Sequence, residues 1–171
     1  RMDKFAMEQL KNAPGAPTFN STQTELFQSV SQGSQILTSL QRAKEILVQS
    51  KITGAGPGAI EVGKNIIKAF GIDPGVGGRK EYEQKVAELK AYVSGQRVFG
   101  REMNKQELKI LNTLASNPGM FNSNSELMGQ LDAFIRRVNT AVGTNRRILE
   151  QQGFGQASRY INEPITSVFR D

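Results

Sequence analysis

The sequence has 171 residues, with 22 Lys and Arg against 16 Asp and Glu, and it contains no His, Cys or Trp. Within these residues the composition excludes disulfides, Cys/His zinc sites, cysteine nucleophiles and the Ser-His-Asp triad. We therefore expect no enzyme activity, no catalytic residue, no cofactor, no metal site and no small-molecule substrate. The net charge of +6 permits an anionic partner, although it also suits an ordinary soluble domain.

The length predicts one domain. The composition is ordinary for a globular chain, since 37% of the residues are apolar and a further 17 are Gly. No stretch approaches the roughly 20 consecutive apolar residues that a membrane-spanning helix needs. The Pro- and Gly-containing stretch 12–20 indicates a linker. We therefore expect an N-terminal lead and linker (1–20), a helical bundle (21–155) and a C-terminal tail (156–171).

A long first helix is predicted to begin at a capping box formed by Thr22 and Glu25 and to end near Ser50. Apolar residues recur along it at alternating steps of four and three, and Gly33 and Lys44 occupy the two gaps in this stripe. Its breadth favours the core of a bundle, and a seam between two chains is the alternative. The stripe supplies five candidate partner contacts: Leu26, Val30, Leu37, Leu40 and Leu47.

Four further helices follow, separated by turns that contain Gly or Pro, and they are predicted over 60–70, 80–99, 104–116 and 123–152. Asn104 with Glu107, and Ser123 with Glu126, are predicted to cap the last two helices. No window shows the alternation of a strand. The predicted fold class is all-α, an irregular antiparallel bundle of about five helices with an extended C-terminal tail.

Gly58 to Lys64 fits the G-x-x-x-x-G-K pattern of a phosphate-binding loop. However, Asn65 follows where Mg²⁺ needs a Ser or Thr hydroxyl, no strand is predicted before the motif, and Glu61 places a carboxylate among the phosphates. The pattern is therefore interpreted as a Gly-rich turn that opens a helix.

The fifth predicted helix carries four arginines that are candidate nucleic-acid contacts: Arg136, Arg137, Arg146 and Arg147. On a helical projection they are predicted to share the face opposite the apolar residues, with Asp132 and Glu150 diluting their charge. Arg stripes along a helix suit phosphate backbones, whereas an ordinary solvated face is the alternative interpretation.

The tail carries scattered apolar residues that must be buried against something, so they are the preferred candidate partner contacts: Tyr160, Ile161, Ile165, Val168 and Phe169. Cleavage of cell-wall glycan would require a Glu with a raised pKa in an apolar pocket. The carboxylates outside evident exposed pairs have no catalytic partner beside them: Glu61, Glu102, Glu126 and Glu163.

Several segments together resemble helical regions of virion-associated proteins of tailed bacteriophages, including tape-measure and DNA-ejection internal virion proteins. They are the Gly/Pro-broken short helix from Gly54 to Gly71, the run Arg97-Val-Phe-Gly-Arg-Glu-Met103, the cap Asn104-Lys-Gln-Glu107, and Ser116-Asn-Pro118 leading to Ser123-Asn-Ser-Glu126. The likeness spans about residues 54–150. It differs in having Asn104 rather than Ser or Thr at the cap.

The resemblance implies a non-enzymatic structural or assembly module of a virion protein, in a tail or an internal ejection component. Such a module would pack against copies of itself or neighbouring virion proteins, inside the bacterial host during assembly and then in the virion. A nucleic-acid-binding module that uses the arginines is the first alternative. An accessory segment of a peptidoglycan-degrading virion enzyme is the second.

Overall fold

The computed structural model of the protein describes residues 20–54 and 57–153. The predicted tail contacts lie outside these residues: Tyr160, Ile161, Ile165, Val168 and Phe169. Within the described part the fold is all-α, as predicted, and no strand is present there. The helices are α1 (Ser21–Ser50), α2 (Pro57–Ala69), α3 (Arg79–Ser94), α4 (Lys105–Ser116), α5 (Gly119–Ser123) and α6 (Ser125–Gln151).

Two predicted helix caps are wrong by one or two residues. The capping box at the start of α1 joins Asn20 and Gln23: the Gln23 backbone N–H donates to Asn20 Oδ1 at 2.8 Å, and the Asn20 N–H donates to Gln23 Oε1 at 3.0 Å. At the start of α6 the cap is Asn124, whose Oδ1 accepts from the backbone N–H of Leu127 at 3.2 Å. In both places an Asn side chain within two residues of the predicted cap accepts from a backbone N–H of the first turn.

Other predicted ends are confirmed. Asn104 and Glu107 form the reciprocal capping box of α4, with both backbone-to-side-chain bonds at 2.9 Å. Gly71 follows α2 at a φ of 80°, a left-handed conformation that favours glycine. Gly153 follows α6 at a φ of 86°.

The third helix is shorter than predicted, and one short helix was not predicted. α3 ends at Ser94, so residues 96–102 form a separate connecting segment, which we call the strap. Pro118 precedes the five-residue helix α5 at a φ of −60°, a value that suits a helix start. The predicted break after Ser116 is therefore only a two-residue interruption, Asn117 and Pro118, before the chain turns helical again at Gly119.

The described chain divides into two compact units, and α1 and α6 contribute to both. Unit 1 contains residues 20–38, 96–102 and 137–153. Unit 2 contains residues 39–54, 57–95 and 103–136.

In unit 1 the start of α1 lies antiparallel to the end of α6, since Gln23 Nε2 donates to Gln152 Oε1 at 3.2 Å. Gly33 lies where these helices approach closely, because a Cβ at this position would lie 2.8 Å from Val142 Cγ2. Glycine thus fills one gap in the apolar stripe for a steric reason. The strap crosses the same region, where Val98 is wholly buried.

In unit 2 helices α2, α3 and α4 pack against one another. Gly63 of α2 lies against the Tyr82 hydroxyl and the Ala115 carbonyl oxygen, which leave no room for a Cβ. The Tyr82 hydroxyl donates to that carbonyl oxygen, so one hydrogen bond joins α3 to α4 beneath α2. Lys44, which fills the second gap in the stripe, pairs with Asp132.

Candidate interaction surfaces

The four candidate arginines do not share one surface. Arg136, Arg137 and Arg147 are exposed, whereas Arg146 is only 7% exposed. Nη2 of Arg146 donates to Ser34 Oγ at 3.4 Å within unit 1. The predicted placement of Arg146 on the exposed face is therefore wrong.

The helical spacing explains the burial of Arg146. It follows Val142 by four residues and precedes Leu149 by three, so it lies beside the apolar stripe of α6. Its long side chain extends to a wholly buried serine of α1. Arg146 is therefore a structural residue of unit 1.

In unit 1 the exposed side of α6 presents a basic face. Arg137, Thr140, Thr144 and Arg147 are all exposed, and we call them the arginine face. Residues 133–149 of α6 include no Asp or Glu. Because Thr140 and Thr144 are short, a phosphate backbone could approach the helix between the two arginines.

Beneath this helix, unit 1 contains a buried polar cluster that fixes the strap. Ser29 Oγ donates to the Val98 carbonyl oxygen at 3.2 Å and accepts from the Gly100 N–H at 3.1 Å and from Asn145 Nδ2 at 3.4 Å. One hydroxyl thus uses its donor and both acceptor positions. Gln32 Oε1 accepts from the Arg97 N–H at 2.7 Å, so a second side chain of α1 fixes the strap.

The stripe on α1 is core. Val30, Leu37, Leu40 and Leu47 are each 0% exposed, and Leu26 is half-buried. The four buried residues were predicted as candidate partner contacts, and this prediction is wrong, because the chain's own residues already cover them. The bundle-core interpretation of the stripe is the correct one.

Unit 2 has a groove of about 520 Å³ between α4, α5 and the first turns of α6, which we call the lysine groove. Lys105, Lys109 and Thr113 line one wall, one turn apart from each other along α4. Asn124 and Leu127 line the opposite wall. The apolar part includes Ile110 and also Met120, which is 40% exposed.

The electrostatics of the lysine groove are positive. Lys105 and Lys109 are its charged lining residues, and no acidic residue lines it. The N-terminal ends of α4 and α6 also lie at the groove, and each adds a partial positive charge. Each of these helices also has a carboxylate in its first turn, the buried Glu107 in α4 and the exposed Glu126 in α6, which offsets this partial charge. The positive charge of the groove therefore comes from its two lysines.

A smaller pocket of about 290 Å³ lies beside Tyr82 and is rimmed by Arg79 and Glu83. Burial raises the pKa of Tyr82 to about 12. Its hydroxyl already donates to the Ala115 carbonyl oxygen and stays protonated near neutral pH. Tyr82 therefore serves the packing of α3 against α4 rather than acid–base chemistry.

The phosphate-loop pattern lies wholly within α2, whereas the sequence analysis interpreted it as a Gly-rich turn that opens a helix. Its glycine and lysine at positions 63 and 64 are in the middle of α2, and Lys64 Nζ donates to the Gly77 carbonyl oxygen at 3.3 Å. Glu61, Glu102 and Glu126 are exposed, and Glu163 lies outside the described residues.

The lysine groove was not predicted from the sequence. The feature that could have indicated it is the apolar pair Met120 and Phe121, which lies inside a segment interpreted as a turn. Phe121 is buried, whereas Met120 is exposed in the groove.

No family model, curated protein or solved structure matches this chain. Among the described residues, no helix is both long and apolar enough to cross a bilayer. In that same part of the chain, no cluster of three or more acidic side chains suits a metal ion.

Proposed function

We propose that this chain is a non-enzymatic structural or assembly module of a tailed-phage virion protein, in a tail or an internal ejection component. It would act by packing against neighbouring virion proteins or copies of itself. The resemblance over residues 54–150 supports the phage setting, and the lysine groove of unit 2 supports partner binding.

The observation that carries the proposal is the exposed Met120 on the lysine groove. A concave surface that combines apolar side chains with polar walls is typical of protein-binding sites. Met is also a frequent residue at binding surfaces, because its flexible thioether adapts to different partners.

Two measurements test this function. Mass spectrometry of virions purified from the phage that encodes the chain is expected to detect its peptides at a fixed ratio to the capsid protein. Detection in infected cells but never in virions would contradict the virion assignment. Sedimentation equilibrium of the full chain, compared with a Met120→Ser variant, shows whether copies of the chain also associate through the groove.

The arginine face of unit 1 favours a second candidate function, binding to the phosphate backbone of a nucleic acid. Two exposed arginines and two exposed threonines lie along α6, in a stretch of helix that has no acidic residue. Arg is well suited to this task, because its planar guanidinium can donate two hydrogen bonds to one phosphate.

A salt titration tests this second function. If the arginine face contacts phosphates, the affinity for duplex DNA falls linearly on log–log axes as salt rises, and Arg137→Glu with Arg147→Glu lowers the slope by about one per arginine. The matched control is Lys80→Glu with Lys90→Glu, which makes the same charge change at exposed positions of α3. Equal losses in both double variants would show that only the net charge matters.

A further inference from the structure

We infer that the lysine groove of unit 2 is a docking site for an acidic amphipathic helix of another protein. This inference rests on the assembly function proposed above and names the chemistry of the partner. It follows from the shape of the groove, from its charge and from the charges of the chain's own helices.

The shape suits a helix. The wall from Lys105 to Thr113 covers eight steps along α4, which is about 12 Å and roughly two turns of a helix laid alongside it. Met120, which is 40% exposed, provides the main apolar contact, and the half-buried Leu127 adds another from α6. Ile110 is only 4% exposed and lies at the floor of the groove. An amphipathic helix fills such a groove with apolar residues at positions i, i+3 or i+4, and i+7.

The charge selects an acidic partner. Lys105 and Lys109 are exposed on the same wall, one helical turn apart, and neither forms an ion pair with a carboxylate of the described residues. Acidic side chains that flank the apolar stripe of a partner would meet both lysines at the rim. Complementary charges of this kind direct the orientation and speed the encounter.

A second copy of this chain fits the groove less well. Each of the described helices has a net charge that is zero or positive, counted from its Lys, Arg, Asp and Glu residues. α6, for example, has more arginines than acidic residues. None of the described helices therefore has the acidic character that the groove favours.

The experiment uses the full chain and a fluorescein-labelled, hydrocarbon-stapled two-heptad peptide with Leu at its a and d positions and Glu at its other exposed positions. A counterpart with Lys in place of Glu controls for apolar binding alone. Fluorescence anisotropy is expected to show that the acidic peptide binds and that the basic peptide does not. In a ¹³C-methyl NMR spectrum, the Met120 signal, assigned through Met120→Leu, is expected to shift on binding.

Lys105→Glu with Lys109→Glu is expected to weaken acidic-peptide binding at least about tenfold, because repulsion replaces attraction at the rim. Lys80→Glu with Lys90→Glu is the matched control, and it is expected to change binding less than about twofold. Far-UV circular dichroism and thermal unfolding verify that both double variants fold.

Equal weakening in the two double variants would overturn the inference, since the net charge alone would then explain binding. Absence of acidic-peptide binding to the unmodified chain would also overturn it. If copies instead associate through the groove in sedimentation, with loss in Met120→Ser, the inference fails while the assembly function stands. Absence of the chain from virions removes the assembly function itself.

Discussion

Unit 1 and unit 2 bring their helices together with different chemistry. In unit 1, buried serines and Arg146 form hydrogen bonds between α1, α6 and the strap. In unit 2, glycines allow close backbone approach, and the Gly63 site shows this most clearly. A buried hydrogen bond is lost when either partner is removed, whereas close packing is lost when a side chain is enlarged. We therefore expect different kinds of substitution to destabilise the two units.

Their basic residues differ in the same way. The Lys and Arg residues of unit 1, within the described part, are all arginines, whereas lysines predominate in unit 2. Arg forms directed, bidentate contacts and Lys acts as a mobile point charge. This difference is consistent with a phosphate-binding surface on one unit and a rim for acidic side chains on the other.

The largest expected effect comes from comparing the two close-packed glycines. Gly63→Ala places a Cβ against the Tyr82 hydroxyl and a backbone carbonyl, so we expect a loss of about 3 kcal/mol in the free energy of unfolding. The Cβ of Gly33→Ala would lie 2.8 Å from a Val142 methyl group and 3.6 Å from Val98, so a side chain rather than a backbone group must shift, and the gain in helix propensity offsets most of the cost. We expect its loss to stay below about 1 kcal/mol. Urea denaturation measures both, and equal losses would show that unit 1 also depends on close packing.

The next effect concerns the two adjacent arginines of α6. Arg146→Ala removes a buried side chain and its bond to Ser34, so we expect a loss of about 2 kcal/mol. Arg147→Ala changes an exposed position and is expected to stay within about 0.5 kcal/mol. Thermal unfolding distinguishes them. A small effect of Arg146→Ala would show that the Arg146–Ser34 hydrogen bond contributes little to the stability of unit 1.

A smaller effect is expected at the two capping boxes. Asn104→Ala removes the Oδ1 that accepts from the Glu107 backbone N–H, and this loss should cost about 1 to 2 kcal/mol. Asn20→Ala opens an exposed cap at the start of α1 and should cost about 0.5 to 1 kcal/mol. Chemical denaturation of both variants tests the order. If Asn20→Ala proved the more costly, the free energy of unfolding would depend more on the cap of α1 than on the cap of α4.

The smallest expected effect near neutral pH concerns the Tyr82 hydroxyl, whose protonation changes the free energy of unfolding only at alkaline pH. Burial raises its pKa from 10.0 to about 12, so between these values the folded state keeps a proton that the unfolded state has lost. The free energy of unfolding should therefore fall as the pH rises through this range, and unit 2 carries this dependence. Tyr82→Phe is the control, because phenylalanine has no hydroxyl to lose a proton, so the variant should lack this part of the fall. If the free energy of unfolding of Tyr82→Phe fell with pH as steeply as that of the unmodified chain, Tyr82 would not be the cause of the fall.

Local sequence chemistry predicted the all-α class and several helix ends. Gly71 and Gly153 follow helices because a left-handed residue ends them, and Asn104 with Glu107 forms a cap from side chains only three residues apart. Where two capping patterns overlap in the sequence, local chemistry did not decide which one forms the cap. Both Asn20 with Gln23 and Thr22 with Glu25 have capping-box spacing. The observed first turn of α1 is also the one in which Gln23 contacts Gln152 of α6.

The candidate surfaces depended more on packing than on pattern. The stripe on α1 could be core or a seam, and its periodicity is the same in both cases. The complete burial of four of its residues shows that the stripe is core: Val30, Leu37, Leu40 and Leu47. The residues of the lysine groove come from three helices and lie up to 25 positions apart in the sequence, from Lys105 to Gln130. No local sequence pattern therefore predicts the groove.

By itself, the sequence determined the all-α class, the capping box of Asn104 with Glu107, and the chemistries for which the necessary side chains are lacking. Tertiary structure alone decided that Arg146 is buried while Arg147 is exposed, and that Met120 lines a groove while Phe121 is core. The physical reason is that periodicity fixes directions around one helix axis. Burial depends on which neighbours, such as Ser34 on another helix, fill the space in those directions.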